Sequence, residues 1–299
     1  MSRPFRFGVN LVDPASAGEW RAKCRRAEEL GYDVILVPDH LGMPAPFPAL
    51  VAAAEATERP RLGTFVLNAG FWNPALLARE VATTDALTDG RLELGLGTGY
   101  VRSEHEAAGL PYGTPGERVD RLLRTVEELD RLLVASERVV QRPRVPLMVG
   151  GNGDRMLRMA AERADITAFT GGRTVPGSAT GSPVPITAEE LDERVAAFLR
   201  FAAARSEPAE LNLLIQMVVI TEDRKAAVQD ALPLVPHLTE QQVLELPTLL
   251  VGTLEQITEQ VLAQRKRYGF TYLTVLEPWM EPFGEVIEAL RSQERLSGS

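Results

Sequence analysis

His40 is the side chain of this sequence best suited to proton transfer. It is one of three histidines, it follows a short apolar run, and Asp39 stands directly before it. An imidazole can give or take a proton near neutral pH, which suits it to general acid/base catalysis. The alternative is a histidine that packs against a loop and bonds to backbone. We expect His105, in an acidic stretch, and His237, in a proline-interrupted stretch, to be structural or exposed.

Two glycine-rich segments would let the backbone lie close to a ligand. Gly95-Leu-Gly-Thr-Gly99 follows an apolar run but lacks the last glycine of a dinucleotide fingerprint, because Arg102 stands at that place. Gly150-Gly-Asn-Gly153 joins an apolar run to a helix, whose free N–H groups and positive dipole end attract an anion. Thr170 and Arg173 follow the next apolar run and would complete a phosphate site. A plain glycine turn is the alternative at both segments.

The remaining motifs limit the ligands and the reaction classes that the sequence favours. Asn68 to Trp72 places aromatic bulk beside polar groups, as a pocket for a planar ligand would, although both aromatic residues could belong to the core. No pair of histidines has a metal-ligand spacing such as H-x-x-x-H, so we predict no metal. The sequence contains no G-x-S-x-G elbow and no P-loop, which weakens hydrolase and nucleotide triphosphatase interpretations.

The elements that would position these residues are eight short apolar runs with helical segments between them. Each run has the length of a strand that is buried on both faces. The runs are Phe5 to Leu11, Asp33 to Val37, Arg61 to Asn68, Arg91 to Gly97, Pro146 to Gly150, Asp165 to Thr170, Leu211 to Ile220 and Tyr272 to Leu276. Strands that alternate with helices eight times predict an α/β fold, a (β/α)8 TIM barrel, whose functional residues lie at the carboxyl ends of the strands.

The helices carry recognisable start and stop signals. Ser16 begins a helix that ends before Gly31, and Asn73 is an N-cap with proline after it. Thr114-Pro-Gly-Glu117 is a capping box that opens a long helix, and an amphipathic helix from Thr253 ends before a glycine. These signals support the alternation of helices and strands.

Two stretches depart from a minimal barrel. Gly171 to Pro185 follows the sixth run, is rich in Gly, Pro, Ser and Thr, and predicts a long mobile loop that is a candidate lid. Ala226 to Leu249 has a helical pattern that three prolines interrupt, which predicts short broken helices after the seventh strand. No linker divides the chain, so we expect residues 1–299 to form one domain.

Composition excludes several classes of protein. The chain has 299 residues with 32 basic and 41 acidic side chains, a net charge of −9 that argues against a basic nucleic-acid-binding surface. Cys24 is its one cysteine, which excludes an intrachain disulfide and fits a reducing cytoplasm. We predict neither a signal peptide nor a membrane-spanning helix, because no apolar run approaches about 18 residues.

Several motifs in order make the chain resemble the bacterial luciferase-like superfamily of flavin- or deazaflavin-dependent barrels, over essentially its full length. They are Arg6 to Asn10, Leu30 to His40, Leu62 to Thr64, Asn73 to Ala75, Gly90 to Gly99, Glu104 to Pro111, Pro115 to Val119 and the Gly150-Gly151 pair. Within the superfamily the chain looks most like the branch that uses coenzyme F420, with FMN as the alternative.

The resemblance implies a role for each site residue. His40 would face the substrate as acid/base, Asp39 would face the ring, and a non-proline cis peptide at Phe65-Val66 would support the back of the ring. The predicted cofactor-binding set is Asp39, Phe65, Val66, Asn68, Thr98, Gly99, Ser103, Gly150, Gly151 and Thr170, with the last three at the phosphate.

The implied activity is hydride transfer between the deazaflavin and a small organic substrate held under the candidate lid. The nearest rival is a two-component monooxygenase whose reduced FMN comes from a flavin reductase, and the second rival is a non-catalytic flavin- or deazaflavin-binding protein. The resemblance also implies a homodimer. Tyr100 stands where sugar-phosphate dehydrogenase relatives carry a carboxylate, and Met43-Pro44 occupies the region of an expected tryptophan, which disfavours that substrate class.

Overall fold

The computed structural model describes residues 3–13, 16–174 and 183–297. Its strands, in chain order, are β1 Arg6–Asn10, β2 Val34–Val37, β3 Arg61–Thr64, β4 Leu67–Asn68, β5 Leu92–Gly97, β6 Leu147–Gly150, β7 Ile166–Phe169, β8 Gly172–Thr174, β9 Pro183–Pro185, β10 Glu210–Ile215, β11 Met217–Ile220, β12 Leu249–Gly252 and β13 Tyr272–Leu276. The helices are α1 Ala17–Glu29, α2 Pro46–Ala54, α3 Pro74–Leu87, α4 Arg102–Ala107, α5 Pro115–Val134, α6 Asp154–Arg163, α7 Ala188–Ala202, α8 Arg224–Ala231, α9 Glu240–Leu244, α10 Leu254–Tyr268 and α11 Met280–Ser297.

Eight parallel strand positions close into a barrel, which confirms the predicted (β/α)8 fold. The order is β3, β2, β1, β13, β10, β7, β6, β5 and β4, and β3 also pairs with β5 and so closes the ring. β3 and β4 are two parts of the third barrel strand. Between them the Phe65-Val66 peptide is cis, at the predicted place.

The predicted helix signals are confirmed. The Ser16 and Asn73 side chains accept hydrogen bonds from the first turns of α1 and α3. Thr114 and Glu117 form a reciprocal capping box at α5, and Thr253 forms another at α10. These caps satisfy N–H groups that have no partner inside the helix, and so they fix where each helix begins on the barrel.

Side chains of the barrel strands alternate between two cores. A large cluster packs between strands and helices, while a smaller one fills the barrel interior. The interior cluster consists of Val34, Leu36, Phe65, Met148, Ile166, Ala168 and Tyr272, with Val66 and Leu214 packed against it. Each strand is therefore buried on both faces, which explains why the sequence shows largely continuous apolar runs.

The amino ends of the strands carry a buried charge cluster. Arg6 pairs with Glu93 and, at 2.5 Å, with Glu210, while Arg61 Nε lies 2.6 Å from Glu93. The Arg6 guanidinium also lies 4.6 Å from the centre of the Tyr272 ring. Burial opposes the charged guanidinium, but the nearby carboxylates outweigh it and raise the pKa of Arg6. The cluster fills the end of the barrel opposite to the carboxyl ends of the strands.

Glycines on the inner face of β5 admit the irregular third strand. A Cβ on Gly95 would overlap the carbonyl oxygen of Thr64, and the Thr64 hydroxyl bonds to both the N–H and the C=O of Gly95 at 2.8 Å. A Cβ on Gly97 would lie 2.7 Å from Val66 Cγ2. Backbone at Thr64 cannot step aside as a flexible side chain can, so Gly95 is required by a close approach.

Gly95→Ala is expected to lower the free energy of unfolding by about 1–3 kcal/mol or more, because overpacking against backbone forces the two strands apart. Urea denaturation measures the change. The matched control is Gly18→Ala in the exposed first turns of α1, where the nearest atom to the added Cβ is 4.0 Å away. That control is expected to gain stability, since alanine is the better helix former. Equal stability of Gly95→Ala and the unchanged protein would contradict the prediction.

The predicted seventh strand, Leu211 to Ile220, is wrong as a single strand. β10 belongs to the barrel, whereas β11 leaves it and pairs in parallel with β12, which the sequence analysis missed. The chain changes partner at Gln216, where the N–H groups of Gln216 and Met217 both donate to Thr248 O. The predicted broken helices between these strands are α8, a 3-10 turn and α9. The helices share a separate apolar cluster with one side of β12, while Val218 and Leu250 of the two strands belong to the large barrel cluster. Residues 217–252 are called the excursion below.

The predicted long loop, Gly171 to Pro185, is not wholly irregular. Its described ends, β8 and β9, pair as an antiparallel hairpin with Gly172 opposite Pro185. Residues 175–182 lie outside the described residues. His237 in the excursion donates from Nε2 to Pro185 O at 3.1 Å, which joins the excursion to this hairpin. That the segment acts as a lid stays a prediction.

Candidate active site

His40 and Glu104 form a hydrogen-bonded pair at the carboxyl ends of the strands. His40 follows β2, Glu104 lies in α4 after β5, and His40 Nδ1 is 2.9 Å from Glu104 Oε1. The side chains are 27% and 16% exposed, so the pair is sheltered but reachable. A carboxylate at Nδ1 fixes the tautomer that carries its hydrogen there, which leaves Nε2 to exchange a proton with a ligand. The Tyr100 ring meets the imidazole edge to face, with centres 5.7 Å apart.

Glu104 is the site residue that sequence reasoning missed as a functional group. It appeared only as part of a family motif, because the distance from His40 along the chain hides their contact. The available signal was its place: a carboxylate in the first turn of a short helix after the glycine-rich end of β5. Carboxyl ends of parallel strands converge, so such a group is brought towards the histidine after β2.

Asp39 joins the ends of two strands. Its Oδ2 accepts hydrogen bonds from the Trp72 indole at 2.9 Å and from Asn68 N at 3.0 Å. Burial raises the pKa of the Asp39 carboxyl, and these two hydrogen bonds oppose the rise by favouring the ionised form. The structure thus brings three of the residues singled out from the sequence together. That Asp39 faces a cofactor stays a prediction.

His105 is buried beneath this site, as the structural alternative predicts. It lies between the rings of Phe71 and Tyr112, with centres 5.1 and 5.2 Å away. Asn68 Nδ2 lies 3.0 Å from His105 Nε2, and Asn68 Oδ1 accepts from Gly70 N. An amide donor requires an unprotonated ring nitrogen, so His105 is neutral here. Burial lowers its pKa, and nearby arginines add to the effect.

Acidification is expected to destabilise the protein through His105. Its pKa is lower in the folded than in the unfolded state, so below about pH 6.5 the unfolded chain binds more protons and the free energy of unfolding decreases as the pH is lowered. Urea denaturation between pH 7 and 5 measures this slope. His105→Gln keeps an acceptor but cannot titrate, so it should show the shallower slope, whereas the exposed control His237→Gln should keep that of the unchanged protein. Parallel slopes for all three proteins would refute this assignment.

The predicted ring-binding residues line the opening of the barrel interior. Val66 lies over the inner glycines, since a Cβ on Gly97 or Gly150 would come 2.7 or 3.3 Å from its methyl groups. Gly99 has φ +67°, and a Cβ there would overlap the Asn68 amide. Thr98 and Gly99 are half-buried and Ser103 is exposed. A planar ring bound here would therefore meet Val66, which packs over glycine backbone.

The predicted phosphate residues meet at the start of α6. Gly151 has φ +146°, and Gly153 begins the helix without a side-chain cap. Asn152 Nδ2 donates to Thr170 Oγ1 at 3.0 Å, while its buried Oδ1 has no partner among the described residues. A cavity of about 490 Å³ adjoins them, and Arg173 at its edge lies 3.5 Å from Glu190. Free amides and an unpartnered oxygen suit a phosphate with neighbouring hydroxyls.

Two further polar residues lie at the same end of the barrel. Asn10 at the end of β1 is 5% exposed, and its Oδ1 has no partner in the described ranges. Glu277 after β13 pairs with Lys23 and accepts from Val12 N at 2.6 Å, so it holds the loop after β1 in place. Asn10 therefore has an unused acceptor, whereas Glu277 is engaged.

The described residues contain no group of three or more His, Cys, Asp or Glu side chains that could hold a metal ion. None of their helices is both long enough and apolar enough to cross a membrane.

A closed parallel barrel with its glycines, amides and a histidine–carboxylate pair at the carboxyl ends of the strands has the architecture of a barrel enzyme. Residues 1–247 match the model of the luciferase-like monooxygenase family. The chain belongs to that family, which confirms the resemblance found in the sequence.

Individual relatives share most of the chain's length. An F420-dependent glucose-6-phosphate dehydrogenase of Beutenbergia cavernae is 28% identical over 90% of this chain and 92% of its own. Three other proteins of that name match over only about half of their length. Among solved structures, the monooxygenase RslO1 from Streptomyces bottropensis has a TM-score of 0.73 at 22% identity, covering 95% of this chain and 99% of its own. An F420-dependent secondary alcohol dehydrogenase has a TM-score of 0.71 at 18% identity, covering 96% and 99%.

Proposed function

We propose that the protein is an F420-dependent oxidoreductase that transfers a hydride between the deazaflavin and a small organic substrate. The observation that carries the proposal is the His40–Glu104 pair at the carboxyl ends of the strands, the same end at which Val66 packs over Gly97 and Gly150. The names of the full-length relatives support F420 as the cofactor, since they describe dehydrogenases that depend on it.

The residues present fit such a cofactor. Val66, Gly97 and Gly99 would lie against the ring, and Gly150, Gly151 and Thr170 would hold the phosphate with the amides at the start of α6. The unpartnered Oδ1 of Asn152 would accept a hydrogen bond from a cofactor hydroxyl near the phosphate. When bound, the deazaflavin accepts or donates a hydride at its C5 carbon.

The protein's own residues transfer the proton and exclude water. When a substrate hydroxyl is oxidised, His40 Nε2 accepts its proton as the hydride leaves the carbon. Glu104 stabilises the resulting imidazolium through Nδ1 and keeps the ring in one orientation. In the opposite direction the same nitrogen donates the proton. Sheltered surroundings strengthen both interactions, because water would screen them.

Cofactor titration tests the proposal. F420 fluorescence should be quenched by the protein in a saturable way, with weaker binding of FMN. Gly97→Ala should weaken F420 binding about tenfold, which corresponds to about 1.4 kcal/mol, because its Cβ displaces Val66. The helix variant Gly18→Ala is the control and should bind as the unchanged protein does. Tight binding of FMN alone would overturn the proposal.

The rival function, a monooxygenase that uses reduced FMN from a separate reductase, is favoured by the family to which the chain belongs and by the likeness to RslO1. It predicts oxygen consumption when reduced FMN and substrate are supplied together. F420-dependent turnover without oxygen consumption separates the two. If a ligand bound but no substrate turned over, the non-catalytic binding role would remain.

Three further features belong to the proposal. We infer a cytoplasmic location from the single cysteine and a homodimer from the family resemblance. We also propose that residues 1–299 form one domain. Light scattering after gel filtration tests the dimer, and a single cooperative unfolding transition tests the single domain.

A further inference from the structure

We propose that the substrate is an uncharged, largely apolar alcohol or ketone whose oxygen meets His40 and whose carbon chain lies on Leu41, Met43 and Tyr100. The inference rests on the proposed function and narrows its substrate class. Soluble proteins scatter single apolar side chains over their surfaces, but apolar groups gathered around a polar site indicate a binding surface.

The first part of this apolar surface, Leu41 and Met43, lies on a turn that begins at His40. Met43 N donates to His40 O at 3.1 Å, which closes a tight turn with Gly42 at φ +91°. Leu41 and Met43 stand on this turn with 49% and 42% of their surface exposed. The structure shows no packing reason for two such exposed apolar side chains to lie beside a group that exchanges protons.

The second part comes from the loop after β5. Tyr100 is 40% exposed, and its ring lies against the His40 imidazole. Its backbone is held in place, because Tyr112 Oη donates to Tyr100 O at 2.9 Å. Tyr112 is itself held by two cations, with Arg118 4.1 Å and Arg102 4.7 Å from its ring centre. The tyrosine ring is thus a fixed apolar wall facing the histidine.

The charges around the site disfavour an anionic substrate. Two carboxyl groups lie close to His40, because Glu104 bonds to its Nδ1 and Asp39 directly precedes it in the chain. The cations of the neighbouring loops are engaged: Arg102 and Arg118 lie on Tyr112, and Lys23 pairs with Glu277. A phosphate or carboxylate here would meet like charge, whereas a neutral chain would remove apolar surface from water.

The reaction balances with the oxidant that the proposed function supplies. The alcohol carbon loses a hydride to the oxidised deazaflavin, and the hydroxyl loses its proton to His40 Nε2. The C–H and O–H bonds break and a C=O double bond forms, so the alcohol is oxidised by two electrons and the cofactor is reduced by two.

Direct ligand binding to the F420-loaded protein tests the proposal without turnover. Calorimetric titrations with acetone, 2-butanone, 2-hexanone and 2-octanone should show affinity that rises with chain length. Burial of one methylene strengthens binding about fourfold, so the dissociation constant should fall about fourfold for each added methylene until the apolar surface is covered. Glucose 6-phosphate should bind more weakly than 2-octanone. A flat ketone series, or tighter binding of the sugar phosphate, would overturn the inference.

Variants locate the contact. Leu41→Gln and Met43→Gln should each weaken 2-octanone at least about fourfold and leave acetone unchanged, with unaltered F420 affinity. Leu87→Gln, an exposed leucine at the end of α3, is the matched control and should change nothing. Unchanged 2-octanone affinity in both loop variants would refute the assigned surface. If the unchanged protein did not bind F420, the proposed function itself would be overturned, so the two failures can be told apart.

Discussion

His40→Asn is expected to lower kcat by about 10²–10⁴-fold while F420 affinity stays the same, because the variant loses the group that exchanges a proton with the substrate. Asparagine has a similar width and can still bond to Glu104, so the packing around the site is kept. Single-turnover reduction of F420, followed by its absorbance, measures the loss. The control is Glu128→Gln on the exposed face of α5, which breaks only a surface pair with Arg131 and should keep full turnover.

Glu104→Gln should lower kcat less than the loss of His40 and leave KM and F420 affinity unchanged. We assign Glu104 as a positioning residue, which acts by orienting the imidazole through the bond to Nδ1 and stabilising its charged form. Replacing the carboxylate with an amide removes that stabilisation but keeps a hydrogen-bonding group, whereas Glu104→Asp restores the carboxylate and should recover part of kcat. A loss that appears in KM rather than in kcat, or no recovery in Glu104→Asp, would contradict this role. Full turnover by His40→Asn would overturn the proton-transfer role itself.

Arg6→Met is expected to lower the free energy of unfolding by about 3–5 kcal/mol, the largest stability effect that this structure predicts. Glu93 and Glu210 are only 2% and 7% exposed, and both pair with Arg6. Methionine fills much of the same volume, so the loss comes from leaving two buried carboxylates with less compensation. Urea denaturation at pH 7 measures it.

Two further variants separate charge from packing at this end of the barrel. Arg6→Met combined with Glu210→Gln should recover part of the stability, since the second change removes one of the uncompensated charges. Arg131→Met breaks an exposed pair with Glu128 on α5 and should leave stability unchanged within error. If Arg6→Met were no less stable than this control, the cluster would contribute nothing to folding.

The barrel was predictable from the sequence because its strands are buried on both faces. The interior and exterior cores make each strand continuously apolar, so eight runs stand out against the charged helices. Helix starts were predictable because capping is local: Thr114 and Glu117 are three residues apart and need no tertiary contact. The cis peptide at Phe65-Val66 came from family resemblance alone, as nothing in these two residue types demands it.

The missed features depend on contacts between distant parts of the chain. β12 is four residues long, and its partner β11 was part of an apolar run that had already been assigned to the barrel. The pairing of His40 with Glu104 spans 64 positions, and the burial of His105 depends on aromatic rings from two loops. A local sequence pattern does not tell how close such groups lie in space, so these features could be found only in the folded structure.

The excursion of residues 217–252 has a further consequence for how the molecule opens. Its helices pack in an apolar cluster distinct from the two clusters of the barrel, whereas Val218 and Leu250 tie β11 and β12 to the barrel core, so α8 and α9 can unfold locally while the strands stay in place. The bond from His237, between these helices, to Pro185 O joins them to the hairpin above the barrel. Amide exchange in α8 would then report a sub-global opening with a free energy below that of the whole protein, and each such event would release one anchor of the hairpin.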